Sequence, residues 1–252
     1  MAATITDDLK EKEKALRPQI EKYSDLFQVD PNLVRAIITQ ESDFDPTARS
    51  KTGAYGFGQF TAVAAKQIQN IAAINPDAAD LKTFSKSEAD EVDLGIKAVC
   101  AMLWWLYYKK FPNVADKKTK LEACLTFYNA GGKASAMVVQ AGGFSKALPA
   151  IKALDPMYRA QADTYAPAVI EWFIAWHDFI AAEKKTTPPP VPAPAAAPVA
   201  NPFENQVKAD SSKYKALIES LKLLPGQDPG LNISISVREG MTEVTVIFPG
   251  EY

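Results

Sequence analysis

The chain is short of the side chains that most enzymes use as bases, nucleophiles and metal ligands. Its 252 residues hold one histidine, His177, and two cysteines, Cys100 and Cys124. A single histidine removes the usual Ser-His and Cys-His arrangements. Two isolated cysteines neither frame a disulfide scaffold nor complete a zinc site, so both are read as buried thiols, and neither a metal nor a cofactor is expected. Charge is lacking too: 28 basic residues stand against 30 acidic ones, for a net −2. Residues 203–252 carry 5 basic and 7 acidic side chains, which leaves 23 of each in residues 1–202. That balance has no basic footprint for nucleic acid. The most apolar stretch, Ala98 to Tyr108, is too short to span a bilayer and runs into Lys109-Lys110, so it is read as a core helix. The first 17 residues, with Asp7, Asp8, Glu11 and Glu13, have neither the basic start nor the apolar centre of a secretory signal, and synthesis in a cytoplasm without a signal peptide is expected.

What is present is a full complement of core residues, 47% hydrophobic, enough for one main domain and something smaller. The most informative stretch runs from Val34 to Phe60. Val34, Ile37, Ile38 and Glu41 fall at the i, i+3, i+4, i+7 spacing of one helix face, so an acid continues an apolar stripe. Asp30-Pro31 reads as N-cap and first-turn proline, and Asp45-Pro46 follows, which predicts a helix from near Pro31 to Glu41 or Ser42. Glu41 then sits at the negative end of the helix dipole and partly out of water. Both conditions disfavour the anion and push its pKa toward the range of a general acid. Next come Gly53, Gly56 and Gly58 interleaved with Tyr55, Phe57, Gln59 and Phe60. Glycine admits close backbone approach, while aromatic faces and an amide suit the alternating apolar and hydroxyl surfaces of a sugar.

Glu41-Ser42-Asp43-Phe44-Asp45-Pro46, then Ala48 and Ser50, then Gly53-Ala54-Tyr55-Gly56-Phe57-Gly58-Gln59, resemble the soluble lytic transglycosylase domain of the goose-type lysozyme superfamily. Tyr128-Asn129-Ala130-Gly131 resembles a second motif of that family, and Tyr165 before Ala166-Pro167-Ala168-Val169 a third, in the same order along the chain. The resemblance covers residues 25–180 and implies a mainly α, lysozyme-like helical domain. It implies cleavage of the β-1,4 bond between N-acetylmuramic acid and N-acetylglucosamine in peptidoglycan glycan strands, with closure of a 1,6-anhydro ring. Carried over residue by residue, Glu41 is the acid and then the base, and Tyr165 hydrogen-bonds it. Ser50, Phe57, Gln59, Phe60, Tyr128 and Asn129 are then the substrate-binding residues. The chain departs from the family at Gly58 and Thr61, where methionine is usual, and at Ala62, where proline is usual. Two rivals remain: a hydrolytic muramidase, for which Asp43, Asp45, Asp90 or Asp163 would supply a second carboxylate, and a non-catalytic wall-binding or virion structural module. Asp45 before Pro46 is read as a turn cap.

The remaining elements are predicted from pattern. Residues 7–27 form a charged amphipathic helix interrupted or restarted at Pro18; Thr61–Ile71 is a helix ended by Asn75-Pro76; Ser87–Phe111 is one long core helix. Lys117–Asn129 is a helix stopped by Gly131-Gly132, and Arg159–Glu183 is another. Trp104, Trp105, Tyr107, Trp172 and Trp176 are read as packing residues rather than a sugar platform, and His177 as a surface residue beside Asp178. Residues 186–202 hold seven of the 18 prolines and are expected to be a semi-rigid linker. Beyond it a helix over Asn205–Leu224 and a β-hairpin turning at Arg238-Glu239-Gly240 make a small α+β element, residues 203–252. Its core is marginal, so docking on a virion or oligomer partner, or on the main domain, is expected. The domain division is therefore 1–185, 186–202 and 203–252. A wall-degrading domain made in a bacterial host cytoplasm suits a bacteriophage product, an endolysin or a particle-borne enzyme acting on the cell wall.

Overall fold

The computed structural model describes residues 3–154, 162–186, 232–238 and 241–247. Two compact units divide the chain, Met1–Thr187 and Pro188–Tyr252. The first is mainly α. Its helices are α1 (Asp7–Phe27), α2 (Pro31–Ser42), α3 (Ala62–Ile74), α4 (Val92–Trp104), α5 (Lys117–Ala141), α6 (Phe144–Lys152) and α7 (Tyr165–Thr186). In the second, β1 (Asn232–Arg238) and β2 (Met241–Ile247) pair antiparallel, with Ile233 opposite Val246 and Arg238 opposite Met241, as the alternation predicts. The proline run, the helix expected over 205–224, and Phe248 lie outside the described residues.

α4 is the centre. Gly95 through Leu103 are all buried, and all but Lys97, which pairs with Asp80 at 2.7 Å, are apolar or glycine. Around it pack α1, α3, the 3₁₀ turns Pro76–Leu81 and Lys86–Asp90, and a π-helical continuation, Trp105–Lys110. Cys100 and Cys124 are buried free thiols; burial pushes Cys124 up to about 12. Trp176 is fully buried, Trp104, Trp105 and Trp172 are half-buried, and His177 is exposed with Asp178 at 3.2 Å. No helix among the described residues is long and apolar enough to cross a membrane.

Three boundaries differ from expectation. α1 runs unbroken through Pro18, because Leu9, Ile20, Tyr23 and Phe27 are buried along it and that packing outweighs the lost backbone bond. The long helix over 87–111 is instead a 3₁₀ turn, a break at Glu91, α4 and the π segment. A capping box between Ser85 and Glu88 closes the short turn before α4 starts. α5 breaks at Gly131, whose left-handed φ of 73° ends the first helical run as the glycine pair predicts, and a second run follows to Ala141. α7 begins at Tyr165 rather than Arg159, with residues 162–164 in a turn.

One buried ion network ties α1 to the site-bearing helices. Glu13 is fully buried and accepts from Arg35 at 2.7 Å and from Arg17 at 2.7 Å, while Arg17 reaches Glu183 on α7 at 2.6 Å. Arg35 on α2, only 1% exposed, also meets Glu21 at 3.2 Å. Glu13→Ala leaves the buried guanidinium short of its nearest anion and is expected to lower unfolding free energy by about 3 kcal/mol in urea titration. Glu13→Gln, which keeps the shape, should cost less. Equal stability of Glu13→Ala and the parent chain would mean that the network does not brace α2.

Candidate active site

α2 starts where Asp30 accepts the Asn32 N–H at 2.8 Å, and it ends abruptly. Asp43 and Phe44 both take left-handed φ, 50° and 61°, immediately after Glu41 and Ser42. For an aromatic residue this conformation is strained. Phe44 is held there by burial and by an edge-on contact with Trp176 at 5.6 Å between centroids. The Ser42 hydroxyl shares its proton between the carbonyls of Ile38 and Phe57, both at 3.1 Å, and so ties the helix end to the glycine-rich loop.

The loop folds back by paired backbone bonds: Tyr55 N–H to Phe60 O at 3.1 Å, Phe60 N–H to Tyr55 O at 2.9 Å, and Ser50 N–H to Ala54 O at 3.0 Å. The Gln59 amide nitrogen donates to the Ala48 and Gly56 carbonyls, at 3.2 and 3.0 Å. Only its oxygen is then left to face a ligand. Gly58 sits where a Cβ would fall 2.6 Å from the Tyr128 hydroxyl and 2.7 Å from Phe60 and Val99, so a larger side chain cannot enter without displacing them. Thr61 caps α3, accepting the Ala64 N–H at 3.2 Å. Two of the three departures from the family pattern, Gly58 and Thr61, therefore have a local structural role.

These elements enclose a cavity of about 570 Å³. Glu41, Ser50, Gln59, Phe60, Tyr128 and Asn129 all line it, so six of the eight expected site residues share one wall. Gln40, Thr52, Ala64 and Met102 line it as well and were not foreseen, as does Thr61, one of the departures from the family pattern. Of these only Gln40, beside Glu41, carried a usable signal. Phe57 does not line the cavity. It is fully buried in the core, and its contribution is the carbonyl that holds Ser42.

Tyr165, the first residue of α7 and 2% exposed, donates its hydroxyl to Glu41 Oε1 at 2.5 Å. Its ring lies parallel to that of Tyr128 at 6.4 Å, and the Tyr128 hydroxyl donates to Gly58 O at 3.1 Å. Two residues back on α2, Thr39 Oγ1 accepts the indole N–H of Trp176 at 2.8 Å, a second bond locking α7 to α2. Burial pushes the Glu41 carboxyl up to about 7 from its ordinary 4.5, and the Tyr165 hydrogen bond opposes part of that rise. Burial and the neighbouring Glu41 push Tyr165 well above its ordinary value, so it keeps its proton and remains a donor.

Residues 18–147 match the family described as "Transglycosylase SLT domain". The chain belongs to the transglycosylase SLT domain family. This SLT domain is 32% identical over 115 residues to "Membrane-bound lytic murein transglycosylase F" of Desulfosudis oleivorans, a match that covers 46% of the chain and 22% of that protein. The alignment thus spans under a quarter of the curated relative's length. Among solved structures it is similar to an inactive mutant of lytic transglycosylase Slt from Pseudomonas aeruginosa, with TM-score 0.49, 20% identity, and coverage of 66% of this chain and 24% of that one.

A carboxyl whose pKa is raised in the folded state stabilises the fold fully below its unfolded pKa, and that contribution is lost as pH rises through the folded value. Here the window is about 4.5 to about 7. Glu41→Gln is therefore expected to match the parent chain in stability near pH 4 and to exceed it by about 3 kcal/mol near pH 8. Carboxyl NMR titration should place Glu41 near 7, and Tyr165→Phe should raise it further. A Glu41 value at or below 4.5 contradicts the reading.

Proposed function

We propose that the chain is a peptidoglycan lytic transglycosylase that cleaves the β-1,4 bond between N-acetylmuramic acid and N-acetylglucosamine, with Glu41 as acid and then base. The observation that carries this reading is a half-buried carboxyl, pushed up to about 7, facing a groove and held by a buried tyrosine hydroxyl. At neutral pH such a group is poised to hold or release a proton. Protonated Glu41 donates to the glycosidic oxygen as the bond to the anomeric carbon breaks. The carboxylate so formed takes the proton of the muramoyl C6 hydroxyl as its oxygen bonds to the same carbon, closing the 1,6-anhydro ring. Every atom is accounted for with one carboxyl and no water. Tyr165 fixes the orientation of the acid, and Ser50, Gln59, Phe60, Tyr128 and Asn129 hold the strand.

A hydrolytic muramidase would need a second carboxylate across the bond. Among the described residues lining the cavity Glu41 is the only acid. Asp45 accepts the N–H and hydroxyl of Thr47, both at 2.7 Å, and so caps a turn, while Asp90 is paired with Arg49. A purely binding module has no use for a carboxyl kept out of water against a tyrosine. The family match speaks to the wall polymer and not to a bacteriophage or virion setting, so neither is part of this proposal.

On purified sacculi, Glu41→Gln should lose more than about 10²-fold in rate while keeping the fold and wall binding, because the amide cannot deliver a proton. Retention of near-parent activity would remove Glu41 from the chemistry. We further assign the chemistry to residues 1–185 and location to residues 203–252. A chain ending at Lys185 should cleave soluble glycan fragments as the full chain does, and an inactive or unfolded truncated chain would contradict that division.

A further inference from the structure

α3 has two faces, and only one of them belongs to the core. Ala65, Ile68, Ile71 and Ala72 are buried, whereas Val63, Gln67 and Asn70, at i, i+4 and i+7, form a separate stripe. Val63 is 81% exposed, although a β-branched side chain contributes least to a helix where nothing packs on it. Gln69 donates to the Phe84 carbonyl at 3.0 Å and accepts at 3.0 Å from Lys66, which lines the same cavity as the stripe. Among the described residues the side-chain amides of Gln67 and Asn70 have no such partner.

This stripe walls a second cavity of about 650 Å³. Facing it is Phe127, whose ring is fixed by Trp105 at 5.5 Å and by the Lys110 ammonium at 5.3 Å. The two cavities share Thr61, Ala64, Met102, Tyr128 and Asn129, so they are one groove with a waist rather than two pockets. At the waist the Asn129 side-chain oxygen is buried without a hydrogen-bond partner. Apolar Val63, Met102 and Phe127 alternating with two free amides are suited to the C–H faces, hydroxyls and acetamido groups of pyranose rings.

We propose that this outer basin is a saccharide subsite, with Gln67 and Asn70 as its specificity-determining residues, and that through it binding strengthens with glycan length. The inference rests on the glycan-cleaving reading above but is tested without turnover. Binding to the full-length Glu41→Gln chain is measured by calorimetry with peptide-free muramoyl-glucosamine tetrasaccharide and octasaccharide, and again after adding Gln67→Ala and Asn70→Ala. The octasaccharide is expected to bind about tenfold more tightly than the tetrasaccharide. The two added substitutions should abolish that gain and leave tetrasaccharide affinity unchanged, as two lost hydrogen bonds would. Equal affinity for both lengths, a gain that survives the substitutions, or an equal loss for both lengths overturns the subsite. Failure of the parent chain to release any product from sacculi, with the length-dependent binding intact, would instead overturn the catalytic reading and leave the subsite standing.

Discussion

A proton donor in a sugar groove faces opposing requirements: it must be dry enough to keep its proton near neutrality, yet open to the bond it serves. In the function proposed above the Glu41–Tyr165 contact meets both, and the rest of the first unit packs around it. Glu41 comes from the last turn of α2 and Tyr165 from the first residue of α7, 124 positions later. Their meeting depends on the register of two helices rather than on any local turn. The Thr39–Trp176 bond and the Trp176–Phe44 contact fix that register. Consecutive left-handed residues at 43 and 44 stop α2 just after the acid, so the backbone can turn at once into the loop that forms the groove floor.

The same constraint accounts for the outer layer. A helix end that holds an acid out of water does not stabilise the fold by doing so, and α1 helps to keep that helix in register. Its buried Glu13 binds Arg35 on α2 and, through Arg17, reaches α7. Such ion pairs add little net stability over apolar packing, yet they are costly to break. They therefore act more to prevent sliding between helices than to deepen the folded minimum.

How much of this could be read from residues alone follows the range of the interactions. α2 was legible at both ends, because Asp30-Pro31 and Asp45-Pro46 are local signals and the apolar stripe points Glu41 inward. The pairing of β1 with β2 was legible from alternation. The break at Glu91 was missed although Ser85 and Glu88 carry its capping box, since the apolar period from Val92 onward dominated the pattern. Pro18 reads as an interruption because its local preference points that way, and tertiary packing overrides it, whereas the stop read at Gly131 is where the helical backbone does break. Phe57 was placed in the groove by its neighbours in sequence, whereas alternation along the loop sends it into the core. The Glu13–Arg35 and Thr39–Trp176 bonds span 22 and 137 residues and have no sequence period to reveal them.

The central claim is that one carboxyl, with no second acid across the groove, performs both proton transfers. Mass spectrometry of the muropeptides released from purified peptidoglycan by the intact chain tests it most directly. The account predicts products one water lighter than the hydrolytic muropeptides, ending in 1,6-anhydro-N-acetylmuramic acid. Reducing-end products of full hydrolytic mass would contradict it and would require a second catalytic carboxylate in the groove.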